Sequence, residues 1–522
     1  MIRFKIWIGL VAFAINGFAC TKKSSPVVVP AEVAITSSAP ANPVLQGLPT
    51  NPQLRIGISI PVGNAEINYR KIKCRINPEA LNAIQKLDVF MPNTQSFAAT
   101  NSIASIIPSG TDFEIPVDLH LGPGNYYIWI SVVIKSDADI NASVELHCTE
   151  MVDAVNKSVS ITELANSVYK KQVGCAIRKG GDNGIDTYRI PGLITTDKGT
   201  LIAVYDARYN SSADLPANID VGLSRSTDGG KTWETMKIIM DMGPPQDQNG
   251  VGDPSVLFDP VTQKIWVAAL WSKGNHSISG SGPGLSPDQT GQLVLVSSSD
   301  DGLSWSAPFS ITPQVKDPTW NILFQGPGRG IAMEDGKIVF PAQYWTAANT
   351  PYSSLVYSSD HGASWQRGGT GAKSNTTESQ LVETTPGTLM LNMRDNRGSF
   401  RSVATTTNMG SSWTEHATSY NTLPDPVCMG SLIKAKVNVN GTLKDVLFFS
   451  NPNSATGRYN ITIKASLDLG QTWLPANQLL IDERQCYGYS CLTKVDDNTI
   501  AILYEGTKDL YFVKIPVSTI IK

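Results

Sequence analysis

Along most of this chain apolar residues recur at every second position rather than every third or fourth. Asp112-Phe-Glu-Ile-Pro-Val-Asp-Leu-His120 alternates strictly, and Leu54-Arg-Ile-Gly-Ile-Ser-Ile60 and Tyr126-Tyr-Ile-Trp-Ile-Ser-Val-Val-Ile134 carry the same period with longer apolar runs. A period of two puts successive side chains on opposite faces of an extended chain, so these segments predict strands. Later runs at residues 201–205, 264–270 and 337–340 are short, β-branched or aromatic, and bounded by turn residues. Helical periodicity is scarce, and the pattern predicts an all-β protein.

Superimposed on the strands is an eight-residue phrase. It reads Ser226-Thr-Asp228-Gly-Gly230-Lys-Thr232-Trp233 and returns as Ser298-Ser-Asp300-Asp-Gly302-Leu-Ser304-Trp305, Ser358-Ser-Asp360-His-Gly362-Ala-Ser364-Trp365 and Ser466-Leu-Asp468-Leu-Gly470-Gln-Thr472-Trp473. A weaker copy runs Thr406-Thr-Asn408-Met-Gly410-Ser-Ser412-Trp413. The chemistry is that of a hairpin turn: the Asp or Asn oxygen accepts backbone N–H groups, Gly supplies positive φ, and Trp starts the next strand with its ring in the core. The closing tryptophans stand 72, 60, 48 and 60 residues apart. Repeats of about this length, each a small antiparallel sheet, predict a β-propeller. Six blades, five marked by the phrase and one unmarked, fit the length and predict a propeller over residues 166–522. Residues 52–165 lack the phrase but keep the alternation, and predict a small β-sandwich in front of it.

Composition narrows the picture further. Charged residues are 17% of the 522 and the formal net charge is −3, which argues against a polyanion-binding protein. Seven cysteines and five histidines show no metal-ligand spacing. Residues 1–20 have a basic start (Arg3, Lys5), a short apolar run and small residues before Cys20, which reads as a lipoprotein-type signal peptide. The expectation is an exported protein, periplasmic or held on the outer membrane or cell surface by a lipid on Cys20. Residues 21–51, rich in Ser, Pro, Ala and Val, predict a tether.

Candidate chemistry lies in residues the repeat does not require. These are Tyr188-Arg189-Ile190-Pro191, Tyr205-Asp206-Ala-Arg208 and Asp214, then Asp253, Glu378, Asn392-Met-Arg394-Asp, Arg458, Gly488-Tyr489-Ser490 and Glu505. With the Asp-box repeats, this set resembles the bacterial exo-α-sialidase (neuraminidase) family over about residues 175–520. The resemblance implies a six-bladed fold and a retaining hydrolase that removes terminal sialic acid from glycoproteins, glycolipids and oligosaccharides, without metal or organic cofactor. It implies that Arg189, Arg394 and Arg458 clamp the sugar carboxylate and that Asp214 is the acid/base. Tyr489 is then the nucleophile, activated by Glu378. Arg208 and Asp253 line the pocket and Glu505 braces Arg189. The residue types suit the chemistry. Guanidinium groups hold a carboxylate bidentately, and a phenol avoids the repulsion an anionic nucleophile would meet, sialidases being a recognised exception to the two-carboxylate rule.

Each assignment has a rival nearby: Asp206 for Asp214, Arg397 for Arg394, Tyr487 for Tyr489 and Glu383 for Glu378. The box aspartates read as turn staples. The Gly/Ser/Pro-rich segment 271–292 is the longest insertion, and either shapes the pocket or loops over the surface. Two other functions compete: a trans-sialidase using the same residues, and a non-catalytic lectin.

Overall fold

A computed structural model describes residues 32–522. The leader and Cys20 lie outside these residues. Six sheets are arranged as the blades of a propeller, each in antiparallel order outward from an inner strand. The inner strands are Thr187–Thr195, Val251–Asp259, Ile322–Gln325, Thr376–Thr385, Ser431–Val439 and Ser490–Asp496. The sixth blade is closed by a strand from the other end of the chain: Lys170–Arg178 pairs antiparallel with Leu510–Pro516.

Every box is the turn between the third and fourth strands of blades 1 to 5. In each, the Asp or Asn oxygen accepts the backbone N–H four residues on, for example Thr232 N at 3.0 Å from Asp228 and Ser364 N at 2.8 Å from Asp360. Ser226, Ser298 and Ser358 in turn accept the N–H of the box glycine. Two consecutive residues adopt positive φ, not the glycine alone: His361 at 56° precedes Gly362 at 93°, and Asp301 at 61° precedes Gly302 at 84°. The boxes also join blades. A Cβ on Gly362 would lie 2.2 Å from Trp266 of the preceding blade, and Asp301 accepts bonds from Thr196, Thr200 and Arg225 of blade 1.

The segment before the propeller forms two sheets around one apolar core. The predicted tether is corrected here over its second half. Ala34–Ser38 pairs with the strand Asn51–Ile60, and Val44–Gln46 pairs in parallel with Val173, Gly174 and Cys175. The Ser/Pro-rich composition concealed Ile35, Val44 and Leu45, all buried, whose burial outweighs the loop-like neighbours. The expected boundary near 166 is also not a break between units. Lys170–Arg178 pairs with Ser143–Asp153 at its start and with the sixth blade beyond, making one continuous sheet. Gly174 sits where the strand changes partners, and a Cβ there would lie 2.6 Å from the Phe512 carbonyl oxygen.

Candidate active site

The inner strands begin at one mouth of the ring, and three of them break register there. The ladder shifts between Arg189 and Gly192, between Gly252 and Ser255, and between Thr376 and Ser379. A bulge re-aims side chains at a strand end. These three bulges bring Arg189, Asp253 and Glu378 to one cavity of about 220 Å³, which Asp214, Arg394, Arg458 and Tyr489 also line. Two bulge residues carry left-handed backbone, Ile190 at 57° and Asp253 at 57°. For a β-branched residue this is costly, and Glu505 holds Ile190 there by accepting its N–H at 2.9 Å.

Glu505, fully buried, organises one wall. Its Oε1 also accepts Arg189 Nε at 3.1 Å, and its Oε2 accepts Tyr489 N at 2.9 Å. Burial alone would lower the Arg189 pKa, but Glu505, Tyr489 and Asp214 hold it above the ordinary arginine value. The ring of Tyr487 lies 4.5 Å from the Arg189 guanidinium.

The Tyr489 hydroxyl in turn donates to Glu378 Oε1 and accepts Arg394 Nη1 at 2.9 Å, while Arg394 also meets Glu378 Oε2 at 2.6 Å. Burial and the Glu378 carboxylate push the phenol well above its usual pKa, against the pull of Arg394 and Arg189. The phenol is therefore protonated and needs a base to lose its proton, and Glu378 is in contact with it. Arg458 differs from the other two arginines. Among the described residues it makes no ion pair, and its two nitrogens donate to the carbonyls of Tyr487 and Val427 at 2.9 and 3.1 Å. Its charge is left for a ligand.

Asp214 sits on a loop with its side chain 77% exposed and is held by Arg208 at 2.7 Å and Arg189 at 3.2 Å. Partial desolvation beside the cavity raises its pKa, but the Arg208 and Arg189 guanidiniums outweigh this and leave the carboxyl below its ordinary value. Arg208 does not reach the cavity. Its side chain is 1% exposed and is engaged by Asp206, Asp214 and the Ser212 carbonyl. Asp206 accepts the Asp253 N–H at 2.8 Å. Burial, with Asp206 beside it, raises the Asp253 carboxyl well above its ordinary value.

The rivals are elsewhere or in other duties. Arg397 pairs with Asp395, Glu383 caps backbone amides of Gly387 and Glu334 toward the other end of its strand, and Asp206 anchors Arg208. Sequence reasoning did not single out Leu215, Leu270, Ser277 and Ile278, which complete the cavity. The last two come from the 271–292 insertion, which is tied down by Lys316 Nζ on the Gly284 carbonyl at 2.6 Å and shapes the pocket. Among the described residues no group of three or more His, Cys, Asp or Glu could hold a metal.

The chain as a whole is similar to known proteins. Residues 190–505 match the family model described as a BNR repeat-like domain. The chain is 48% identical over 405 residues to a sialidase of Bacteroides fragilis, covering 76% of this chain and 74% of that one. It is 34% identical over 334 residues to a sialidase of Micromonospora viridifaciens, covering 62% of this chain and half of the longer relative. Among solved structures, the Hadza microbial sialidase Hz136 superposes with a TM-score of 0.85 at 39% identity, over 93% of this chain and all of that one.

Proposed function

This chain belongs to the exo-α-sialidase family of glycoside hydrolases, and on that premise we propose that it releases terminal sialic acid from glycans with retention of configuration, through Tyr489 as nucleophile. The observation that carries the reading is the Tyr489 hydroxyl hydrogen-bonded to Glu378 and Arg394 in a cavity that Arg189 and Arg458 also line.

The sugar carboxylate takes the free N–H groups of Arg189, Arg394 and Arg458, which fixes the anomeric carbon over Tyr489. The phenolic oxygen attacks that carbon as its proton passes to Glu378, and the glycosidic bond breaks. Asp214 gives its proton to the leaving oxygen. It then takes one from the incoming water, which displaces the phenol, and Glu378 returns the first proton. Two displacements at one carbon retain its configuration.

The low pKa of Asp214 in the ligand-free pocket is consistent with this role. Arg189 holds Asp214 only until a substrate carboxylate competes for the same nitrogen. Substrate then removes part of the positive charge and much of the water around Asp214, and both changes raise its pKa. The site thus arms its acid on binding.

Proton NMR of the first sialic acid anomer released from 3′-sialyllactose tests the reading. The α-anomer appearing first is expected, and the β-anomer first would overturn it. Running the reaction with added lactose separates hydrolysis from transfer: free sialic acid dominating in both cases excludes a trans-sialidase. No turnover by folded protein that still binds sialic acid would leave a lectin. The basic start, short apolar run and Cys20 support a lipid-anchored, exported enzyme, and Cys20→Ser is expected to release it from the membrane fraction.

A further inference from the structure

A second cavity, of about 270 Å³, opens at the other mouth of the ring. The active site uses Glu378, near the start of its inner strand, whereas this cavity is lined by Val382 and Glu383 of the same strand. At roughly 3.3 Å per residue, Glu383 lies about 16 Å along the strand from Glu378. The wall is mixed: Ile331, Val382, Leu432 and Ile433 form an apolar part, and Arg329 stands beside them at the edge of a charged part.

Arg329 occupies a two-residue strand, Gly328–Arg329, paired in parallel with Ser255 and Val256. Its guanidinium is poorly satisfied. Nη1 donates to the Leu492 carbonyl at 3.3 Å, and Nε is shielded from solvent with no partner. Among the described residues it makes no ion pair, whereas Arg189, Arg208, Arg394 and Arg401 each meet a carboxylate. An arginine does not shed its proton in a protein, and a buried charge without a partner costs several kcal/mol. The acidic groups around the cavity are engaged elsewhere or exposed. Glu383 accepts two backbone N–H groups, Glu334 lies 3.8 Å from Lys434, and Asp445 is exposed and faces Lys436 across the ladder. Lys434 and Lys436 are offset by Glu334 and Asp445, so among the described residues Arg329 is the lining cation that no carboxylate meets.

We propose that this cavity binds a small monovalent anion, a halide or the carboxylate of a short organic acid, with Arg329 as its counter-charge. The anion accepts from the guanidinium N–H groups that the single bond to Leu492 leaves free. The apolar wall receives whatever carbon chain the anion carries. The site is separate from the sialidase chemistry, and the proposal does not depend on how that chemistry runs.

Thermal unfolding of the full chain tests it, titrating chloride, acetate or butyrate against a bulky non-binding anion at fixed ionic strength. A ligand that binds only the folded state raises Tm in proportion to ln(1 + [L]/Kd). A saturable rise is expected for the wild type and is lost in Arg329→Gln, while turnover of an aryl sialoside stays within about twofold. If butyrate binds tighter than acetate, by up to about fourfold per methylene that reaches the wall, the natural ligand is an organic acid. Chloride equal to or tighter than both identifies a halide site. Should Arg329→Gln fail to fold, crystals of the wild type grown in bromide give the answer directly. An anomalous peak within hydrogen-bonding reach of the Arg329 guanidinium supports the site. A cavity holding only water, or a Tm response identical in wild type and variant, overturns it.

Discussion

At the residue scale, holding the substrate and reacting with it fall to different side chains. Tyr489→Phe leaves all three arginines in place, so sialic acid binding is expected within a few-fold of wild type while kcat falls by at least a thousandfold; near-normal kcat would remove Tyr489 as nucleophile. Arg458→Ala deletes the one clamp arginine with no carboxylate partner. A bidentate charged contact is worth about 1.5–3 kcal/mol, so KM is expected to rise about 10- to 150-fold. Asp214→Asn should lower kcat/KM for sialyllactose by about 10²–10⁴ and much less for an aryl sialoside, whose leaving group needs little protonation. Equal losses on both substrates would contradict its role as acid. Much of this constellation was legible because motif and spacing tie Arg189 to Asp214 and set Glu378 16 positions before Arg394. What was not legible has a physical reason. Arg208 reads as a pocket residue until the fold buries it behind Asp214, and Ser277 and Ile278 carry no distinctive chemistry, so only their placement gives them a role.

At the element scale, the box and the bulge divide the work. Boxes hold the far ends of the blades, and bulges aim side chains at the near mouth. The box phrase announced its turns, since Asp, Gly and Trp each have a local reason to be there, but its contacts between blades are tertiary and left no local signal. Gly362→Ala must fit a Cβ 2.2 Å from Trp266 at a φ of 93°. It is expected to cost about 2–4 kcal/mol, read as a fall in Tm. Bonds from the Ser364 and Ser358 hydroxyls and the Ser364 N–H hold Asp360 down to about 2. A carboxyl depressed in the folded state stabilises fully above its unfolded pKa of about 3.9, and loses that contribution as pH falls toward 2. Asp360→Asn should therefore flatten the stability profile between about pH 4 and 2; an unchanged acid limb would remove the box carboxylate as its source. The bulges gave no sequence sign beyond Arg-Ile-Pro, because a register shift depends on the partner strand.

At the scale of the whole molecule, the sandwich and propeller share a sheet, and the segment read as tether helps to bind them. Val44 packs into the sandwich core and its neighbour Leu45 into the propeller core. Because the sheet is continuous, Val44→Ala and Leu45→Ala are expected to lower one common calorimetric transition, by about 1–4 kcal/mol each. Two transitions, each moved by only one variant, would show that the units unfold separately. The ring matters most for what it brings together, since Arg189 and Tyr489 are 300 positions apart in the chain yet line one cavity. The most direct test of that arrangement uses 2,3-difluorosialic acid, whose leaving fluoride lets the nucleophile add while the second fluorine slows release. Peptide mass spectrometry of the trapped enzyme should find the sugar on Tyr489, and a label on any other residue would contradict the account.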